Sequence, residues 1–157
     1  MDHQVTTKSS HLLVHSTQHP LLASYDDNQE VTLTEVSEYV LLVVAHVEQV
    51  VFAQPVINHF ADLLVSQWLL EGGSPREAAF ALLDLLHTAI FPSSNGRSLY
   101  ELSYYVRDVT QQLETFGFDR MSANEIVDDY DTDVATWCLR VPPRAAARRL
   151  AGRQFAA

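Results

Sequence analysis

The sequence has a single cysteine, Cys138, among its 157 residues. A disulfide within the chain is therefore excluded, and so are the Cys-x-x-Cys pairs of zinc and redox sites. Long apolar runs are missing as well, because the most apolar stretch, residues 39–45, is far shorter than the roughly 20 residues of a membrane span. The N-terminal segment has only Lys8 as a positive charge, which is not the pattern of a secretory signal. These absences predict a cytoplasmic protein, or one within a virion or other large assembly, that is not secreted by a signal peptide and makes no membrane contact.

Sequence motifs of common enzymes are also missing. There is no Gly-x-Ser-x-Gly elbow, no Gly-x4-Gly-Lys phosphate loop, no Gly-x-Gly-x-x-Gly and no His-Glu-x-x-His. Cys138 follows Trp137 in an apolar pattern and is expected to be a buried, unreactive thiol. We therefore expect a protein that is not an enzyme, with no cofactor and with no small-molecule substrate that the sequence identifies. An enzyme whose catalytic groups meet only in the folded chain is the less favoured alternative.

Glycine and proline are few, five and six residues, and they stand where helices would begin or end. Four Ser/Thr-x-x-Glu sequences have the pattern of a capping box, in which hydroxyl and carboxylate accept hydrogen bonds from free backbone N–H groups at a helix start. They are Thr32–Glu35, Ser74–Glu77, Ser98–Glu101 and Ser122–Glu125. Each predicts a helix start, and Gly72-Gly73 predicts a helix end.

Apolar residues recur in three segments at steps of three and four, the spacing of a helix packed along its length. The three sets are Val36, Val40, Val43, Val47 and Val50; Leu99, Leu102, Val106, Val109, Leu113 and Phe116; and Val127, Tyr130, Val134, Trp137 and Val141. Pro55 leaves open whether residues 34–71 form one kinked helix or two. Residues 75–91 are apolar on most faces and are expected at the centre of the bundle.

The predicted fold is all-α, an antiparallel bundle of about five helices over residues 32–141. Residues 1–31 have no sustained period and are interpreted as an extended N-terminal arm, with candidate short strands at residues 12–14 and 21–23. Residues 142–157 are interpreted as a basic C-terminal tail, set off from the bundle by Pro142-Pro143.

Charge is divided unevenly along the chain. Residues 1–139 contain five basic and twenty acidic residues and carry −15, whereas residues 140–157 carry +5 with no acidic residue. The five positive charges are Arg140, Arg144, Arg148, Arg149 and Arg153. Guanidinium groups bind phosphate and carboxylate oxygens in pairs, so these arginines are predicted to bind an anionic partner. Two partners are weighed evenly: nucleic acid, and an acidic surface of this or a neighbouring subunit.

The densest acidic patch is Asp128, Asp129, Asp131 and Asp133. Its alternating carboxylates resemble the opening of a calcium loop, but the positions for the loop's glycine and last glutamate hold Val134 and Arg140. A solvated helix start is the better interpretation. His11, His15 and His19 are spaced four apart without a helical pattern and are interpreted as surface residues, while His46, His59 and His87 are expected on helices. No metal site is predicted.

We call the three sets of apolar residues above seams. They predict a homo-oligomer or an obligate protein partner, and so do the aromatic residues Trp68, Tyr104, Tyr105 and Trp137. The sequence thus predicts a non-enzymatic helical binding or assembly protein, a structural subunit or adaptor of a virion or other large assembly. Its arginine-rich tail would dock on an acidic protein surface or on nucleic acid. The alternative is an acidic inhibitor of the immunity type, whose body covers a basic nucleic-acid-binding site on a target protein.

Overall fold

A computed structural model describes residues 31–86 and 99–156. These ranges contain eight helices and no strand, which confirms the predicted all-α class. The helices are α1 (Leu33–Val47), α2 (Ala53–His59), a π-helix (Leu63–Leu69), α3 (Pro75–Leu85), α4 (Leu99–Thr115), α5 (Arg120–Asp129), α6 (Asp131–Trp137) and α7 (Pro143–Ala156).

Two of the predicted helix starts are capping boxes in the structure. At α1 the Thr32 hydroxyl accepts from the backbone N–H of Glu35 at 3.2 Å, and the Glu35 carboxylate accepts from the backbone N–H of Thr32 at 3.1 Å. Ser74 and Glu77 repeat this exchange at α3, where Pro75 occupies the first helical position. The box at Ser98 falls outside the described residues.

The predicted box at Ser122 is wrong. Helix α5 begins three residues earlier than this box predicts, at Arg120, and its N-cap is Asp119, whose carboxylate accepts from the backbone N–H of Ser122 at 2.7 Å. This hydrogen bond lowers the pKa of Asp119, because it favours the ionised form. A carboxylate at the N-cap accepts the capping hydrogen bond and also places a negative charge at the positive end of the helix dipole. It is therefore preferred here over the serine hydroxyl.

The hydrophobic core lies around the contact of α1 with α4. Valines of α1 and leucines and valines of α4 from the predicted seams are almost fully buried: Val36, Val40, Val43, Val47, Leu99, Leu102, Val106, Val109 and Leu113. Val50 and Phe116 are the exceptions: α1 ends at Val47 and leaves Val50 66% exposed, and Phe116 lies beyond the end of α4 and is half-buried. Helix α3 packs on the outer side of α1, and α5 and α7 pack on α4.

Segment 75–91 is not the centre of the bundle. Within its described part, α3 buries Ala78, Ala79 and Leu82 on one side, whereas Phe80 is 58% exposed. Alanine side chains are small, so they let α3 pack closely against α1. They also provide too little apolar surface for α3 to have other helices on every side.

Residues 34–71 form neither one kinked helix nor two. The break falls at residues 48–52, upstream of Pro55, and α2 is followed by a π-helical turn that ends before Gly72. Gly72 has a φ of +83°, in the left-handed region that glycine adopts without strain, as the predicted helix end requires.

The third predicted seam is divided between two helices. Val127 and Val134 are both fully buried, but Tyr130, between them, has φ −118° and ψ 36°, so the helix stops and restarts there. Helix α6 then ends at Trp137, and Leu139 has a φ of +67°.

The C-terminal segment predicted as a tail folds as α7, which begins with Pro143 at its N-terminus. Ala146, Ala147 and Leu150 have no exposed surface and belong to the core formed with α4. The arginine segment is therefore part of the helical structure. The interpretations of residues 1–30 as an arm with two strands, and of His11, His15, His19 and His87, lie outside the described residues.

Gly73 gives a first prediction. A Cβ added at this position would lie 2.5 Å from the Cδ1 atom of Trp68, and the Gly73 carbonyl accepts from the Tyr39 hydroxyl at 3.0 Å. We expect Gly73→Ala to lower the free energy of unfolding by about 1–3 kcal/mol, since Trp68 and the turn must shift. Urea denaturation measures this change.

Gly152 is the matched control. It lies within α7, and nothing is within 4 Å of an added Cβ. Gly152→Ala should stabilise the protein by about 0.5–1 kcal/mol, because alanine loses less backbone entropy in a helix. Equal effects of the two substitutions would contradict the packing role of Gly73.

Candidate binding surface

The five predicted arginines are all exposed in the structure. Four of them lie on α7, where they occupy positions left free by the buried Ala146, Ala147 and Leu150. Arg144 and Arg148 are one helical turn apart, and so are Arg149 and Arg153 on another side of the helix. Arg140 precedes the helix. The arginines therefore form two groups with different surroundings.

The first group is bound within the protein. The Arg153 guanidinium donates to the Asp133 carboxylate at 2.6 Å and lies over the rings of Tyr130 and Trp137, at 5.0 and 5.4 Å from their centroids. Arg149 also lies over Trp137, at 5.2 Å. Such contacts of a cation with an aromatic face contribute about 0.5–1 kcal/mol each at exposed sites. Arg149 and Arg153 thus attach α7 to α6.

The second group faces outward. Arg140 and Arg148 have no acidic partner among residues 31–86 and 99–156, and Arg144 lies over the Phe116 ring at 5.7 Å. At the end of α7, Phe155 is 81% exposed and stacks on Phe118 with ring centroids 6.2 Å apart. Arginines and phenylalanines therefore share this side of α7.

Phe116 and Phe118 were not identified as part of this surface from the sequence. They flank Gly117, whose φ of +109° makes the turn between α4 and α5. In the sequence, the short pattern Phe-Gly-Phe could have indicated two aromatic residues at a turn. The position of these residues near the arginines depends on the packing of α7 against α4. We call Arg140, Arg144, Arg148 and Phe155, with Phe116 and Phe118, the arginine–phenylalanine surface.

The acidic patch is dispersed in the structure. Asp128 accepts from the backbone N–H and the hydroxyl of Thr34, at 2.9 and 2.8 Å, and so caps the N-terminus of α1 from another helix. Asp131 is buried, Asp129 is exposed, and Asp133 pairs with Arg153. In the described parts of the chain, no three His, Cys, Asp or Glu side chains are grouped so that they could hold a metal ion.

Burial raises the pKa of Asp128 to about 6, and the neighbouring Glu35 carboxylate acts in the same direction. The hydrogen bonds from Thr34 and Thr32 oppose this shift, because they favour the ionised carboxyl. The cost of removing the charge from water is therefore larger than the gain from its hydrogen-bond donors.

Most of the other residues considered from the sequence pack in or against the hydrophobic core. Cys138 is fully buried, as expected of an unreactive thiol. Trp68, Tyr104 and Trp137 pack against the core and Tyr105 is 7% exposed, so these four residues do not present the large aromatic surface on which the expected oligomer partly depended. His46 is half-buried, and His59 is exposed with its ring edge-to-face on Phe60.

Across the described ranges, every helix is too short or too polar to cross a bilayer. The chain matches no known protein family, no curated protein and no solved structure. The functional argument therefore depends on the residues of this chain alone.

Asp128 gives a prediction on pH. Its pKa is about 6 in the folded protein against an ordinary 3.8. The folded state thus binds the proton more tightly, so the stability that this group contributes is complete below pH 4 and is lost as the pH rises through 6. Asp128→Asn keeps an acceptor oxygen and cannot ionise. Between pH 4 and pH 7, we expect its free energy of unfolding to improve relative to the unmodified protein by about 2–3 kcal/mol.

The measurement is urea denaturation at intervals of pH. Glu125→Gln is the control, because it neutralises an exposed carboxylate of the same helix. If the free energies of unfolding of Asp128→Asn and of the unmodified protein changed with pH in the same way, burial of Asp128 would not dominate its ionisation.

Proposed function

We propose that this chain is a non-enzymatic binding and assembly protein that docks on an acidic protein partner through the arginine–phenylalanine surface. In this proposal the five helices of ten or more residues, α1, α3, α4, α5 and α7, form the antiparallel bundle, and the shorter helices connect them. The bundle holds the docking surface in a fixed shape.

One observation carries the proposal: three exposed arginines are outside every described ion pair, and an exposed phenylalanine lies on the same side of α7 as two of them, in a chain of net charge −10. Sixteen of the twenty acidic residues lie in the described ranges, yet none of the three described ion pairs involves Arg140, Arg144 or Arg148. The charge of an arginine paired within the chain is partly neutralised by its partner, and these three arginines are in none of the described pairs.

The composition of the surface favours a protein partner. Arginine and aromatic side chains are enriched at the centres of protein interfaces, where a few of them supply most of the binding energy. Because α7 is already folded, little conformational entropy is lost when these residues bind. The net charge of −10 repels an acidic protein and nucleic acid alike at low ionic strength, so the preference for a protein partner rests on the composition of the surface.

Exposed apolar residues elsewhere support assembly with further copies or partners. Among the large apolar residues of ranges 31–86 and 99–156, those most exposed outside α7 are Leu42, Val50, Phe52, Phe80, Met121 and Leu139. Leu139 precedes Arg140 and has a positive φ, a conformation that costs roughly 1 kcal/mol for a residue other than glycine. An apolar side chain held exposed in such a conformation is typical of a contact site.

The test compares two sets of three substitutions with equal charge change. Arg140→Gln, Arg144→Gln and Arg148→Gln remove the outward cations, whereas Lys8→Gln, Arg76→Gln and Arg97→Gln remove three cations from other parts of the sequence. Binding of a fluorescent glutamate-rich peptide to the full chain is measured by anisotropy at low and moderate salt. We expect the first set to weaken binding by about tenfold or more, because several charge-assisted hydrogen bonds are lost, and the second by less than about twofold.

Phe155→Ala provides a variant with no charge change, and it should weaken binding several-fold if the phenylalanine is part of the contact. A single-stranded oligonucleotide of the same length and charge as the peptide is measured in parallel. Tighter binding of the oligonucleotide would favour nucleic acid as the partner. Equal losses in the two arginine sets would show that only net charge matters and would overturn the proposal.

A further inference from the structure

A groove of about 360 Å³ lies between α1, α4 and α5 on a part of the surface that the proposed docking does not use. Its wall on α1 includes Ser37 and Leu42, its wall on α4 includes Val106 and Thr110, and α5 contributes Arg120. At the groove, Ser37 on α1 and Thr110 on α4 interrupt the valine and leucine residues of the two buried helix faces. Its size is in the range of small-molecule sites.

Ser37 is the distinctive residue of the groove. Its side chain is 3% exposed, and its hydroxyl has no hydrogen-bond partner. The other two buried serine and threonine hydroxyls of the described chain are satisfied by carbonyl oxygens of their own helix, Ser103 by Leu99 and Thr110 by Arg107, both at 2.8 Å. A buried hydroxyl without a partner is unfavourable, and here it lies at the wall of an open groove. A ligand atom that reached it would satisfy it.

Two guanidinium groups line the same groove. Arg107 donates through Nε and Nη2 to Asp108, at 3.2 and 3.0 Å, and Arg120 donates through Nε to Glu114 at 3.2 Å. Each guanidinium has five N–H donors, so both retain donors for a ligand. These ion pairs are exposed to solvent and therefore hold the arginines only weakly.

Glu38 is the one acidic residue that lines the groove, so its ionisable lining carries two positive charges and one negative charge. Gln111 and Asn124 add amide groups, and Leu41, Leu42 and Val106 add apolar surface. The lining thus combines two guanidinium groups that retain N–H donors, several other hydrogen-bonding groups and an apolar wall. A ligand that matches it has one anionic group and an apolar body.

We propose that this groove is a binding site for a small organic carboxylate. The carboxylate binds Arg107 and Arg120, the apolar body lies against Leu42 and Val106, and a ligand oxygen accepts from the Ser37 hydroxyl. This site is separate from the arginine–phenylalanine surface and does not depend on the docking proposed for it.

The experiment uses three probes with the same apolar chain: octanoate, octanol and octylammonium. Each is titrated into the full isotopically labelled protein, and backbone amide shifts are recorded by NMR at constant pH and salt. We expect saturable shifts at residues of the groove with octanoate, at a dissociation constant of about 1 mM or below, and at least about tenfold weaker binding of the other two probes. No saturable shift at these residues up to about 10 mM octanoate would overturn the proposal, and so would equal binding of octanol.

Arg107→Gln with Arg120→Gln tests the cationic part of the site. This double variant should weaken octanoate binding by about tenfold, whereas Arg76→Gln with Arg97→Gln, which makes the same change in charge at residues assigned to neither surface, should alter binding by less than about twofold. Equal losses in the two pairs would mean that the anion responds to net charge alone, and the site would be rejected.

Ser37→Ala tests the buried hydroxyl by two separate readouts. Because the hydroxyl has no partner in the free protein, its removal should leave the thermal midpoint unchanged or raise it, while octanoate binding weakens about threefold to tenfold. Ser103→Ala is the matched control: it removes a satisfied buried hydroxyl, so it should lower the thermal midpoint and leave octanoate binding unchanged. If Ser37→Ala binds octanoate as well as the unmodified protein does, the hydroxyl is not part of the site.

Discussion

The packing of α1 against α4 is the contact on which the rest of the structure depends. Valines such as Val40 and Val43 of α1 and Val109 of α4 are almost inaccessible to water, and burial of a valine contributes about 1.5 kcal/mol or more. Helix α3 packs on the outer side of α1, and α5 and α7 pack on α4, so each requires the central pair to be in place. The groove lies at the same contact, where Ser37 and Thr110 interrupt its valine and leucine surface.

Because α7 packs against the core, the arginine segment is a fixed helix and not a free arm, and this determines which of its arginines a partner can reach. A free arm would offer all its guanidiniums to a partner and would lose conformational entropy on binding. In the folded chain, Ala146, Ala147 and Leu150 fix one side of the helix against the core, so the arginines occupy defined positions around it. Arg149 and Arg153 then reach Trp137, while Arg144 and Arg148 stand on the other side. The position of each arginine around the helix, more than its charge, therefore determines whether it is available to a partner.

Features determined by neighbouring residues were predictable from the sequence, and features determined by contacts between distant segments were not. The boxes at Thr32 and Ser74 and the left-handed Gly72 follow from local hydrogen bonds and backbone sterics, and the seams of α1 and α4 follow from helical period. The break at Tyr130 could not be read from period, because Val127 and Val134 keep the same spacing across it. Nor could the contact of Asp128 with Thr34, which are 94 residues apart in the chain.

The dispersal of the acidic patch shows why composition alone gave a poor description of the electrostatics. Four aspartates within six residues suggested one negative surface, but a helix followed by a break directs them to different surroundings. Asp128 caps α1, Asp131 is buried, and Asp133 holds Arg153, so only Asp129 remains as an exposed charge of the kind that the patch implied. The local negative field near α7 is therefore weaker than the sequence implied. This lets Arg140, Arg144 and Arg148 remain unpaired on a strongly acidic protein, which is the condition that a docking surface for an acidic partner requires.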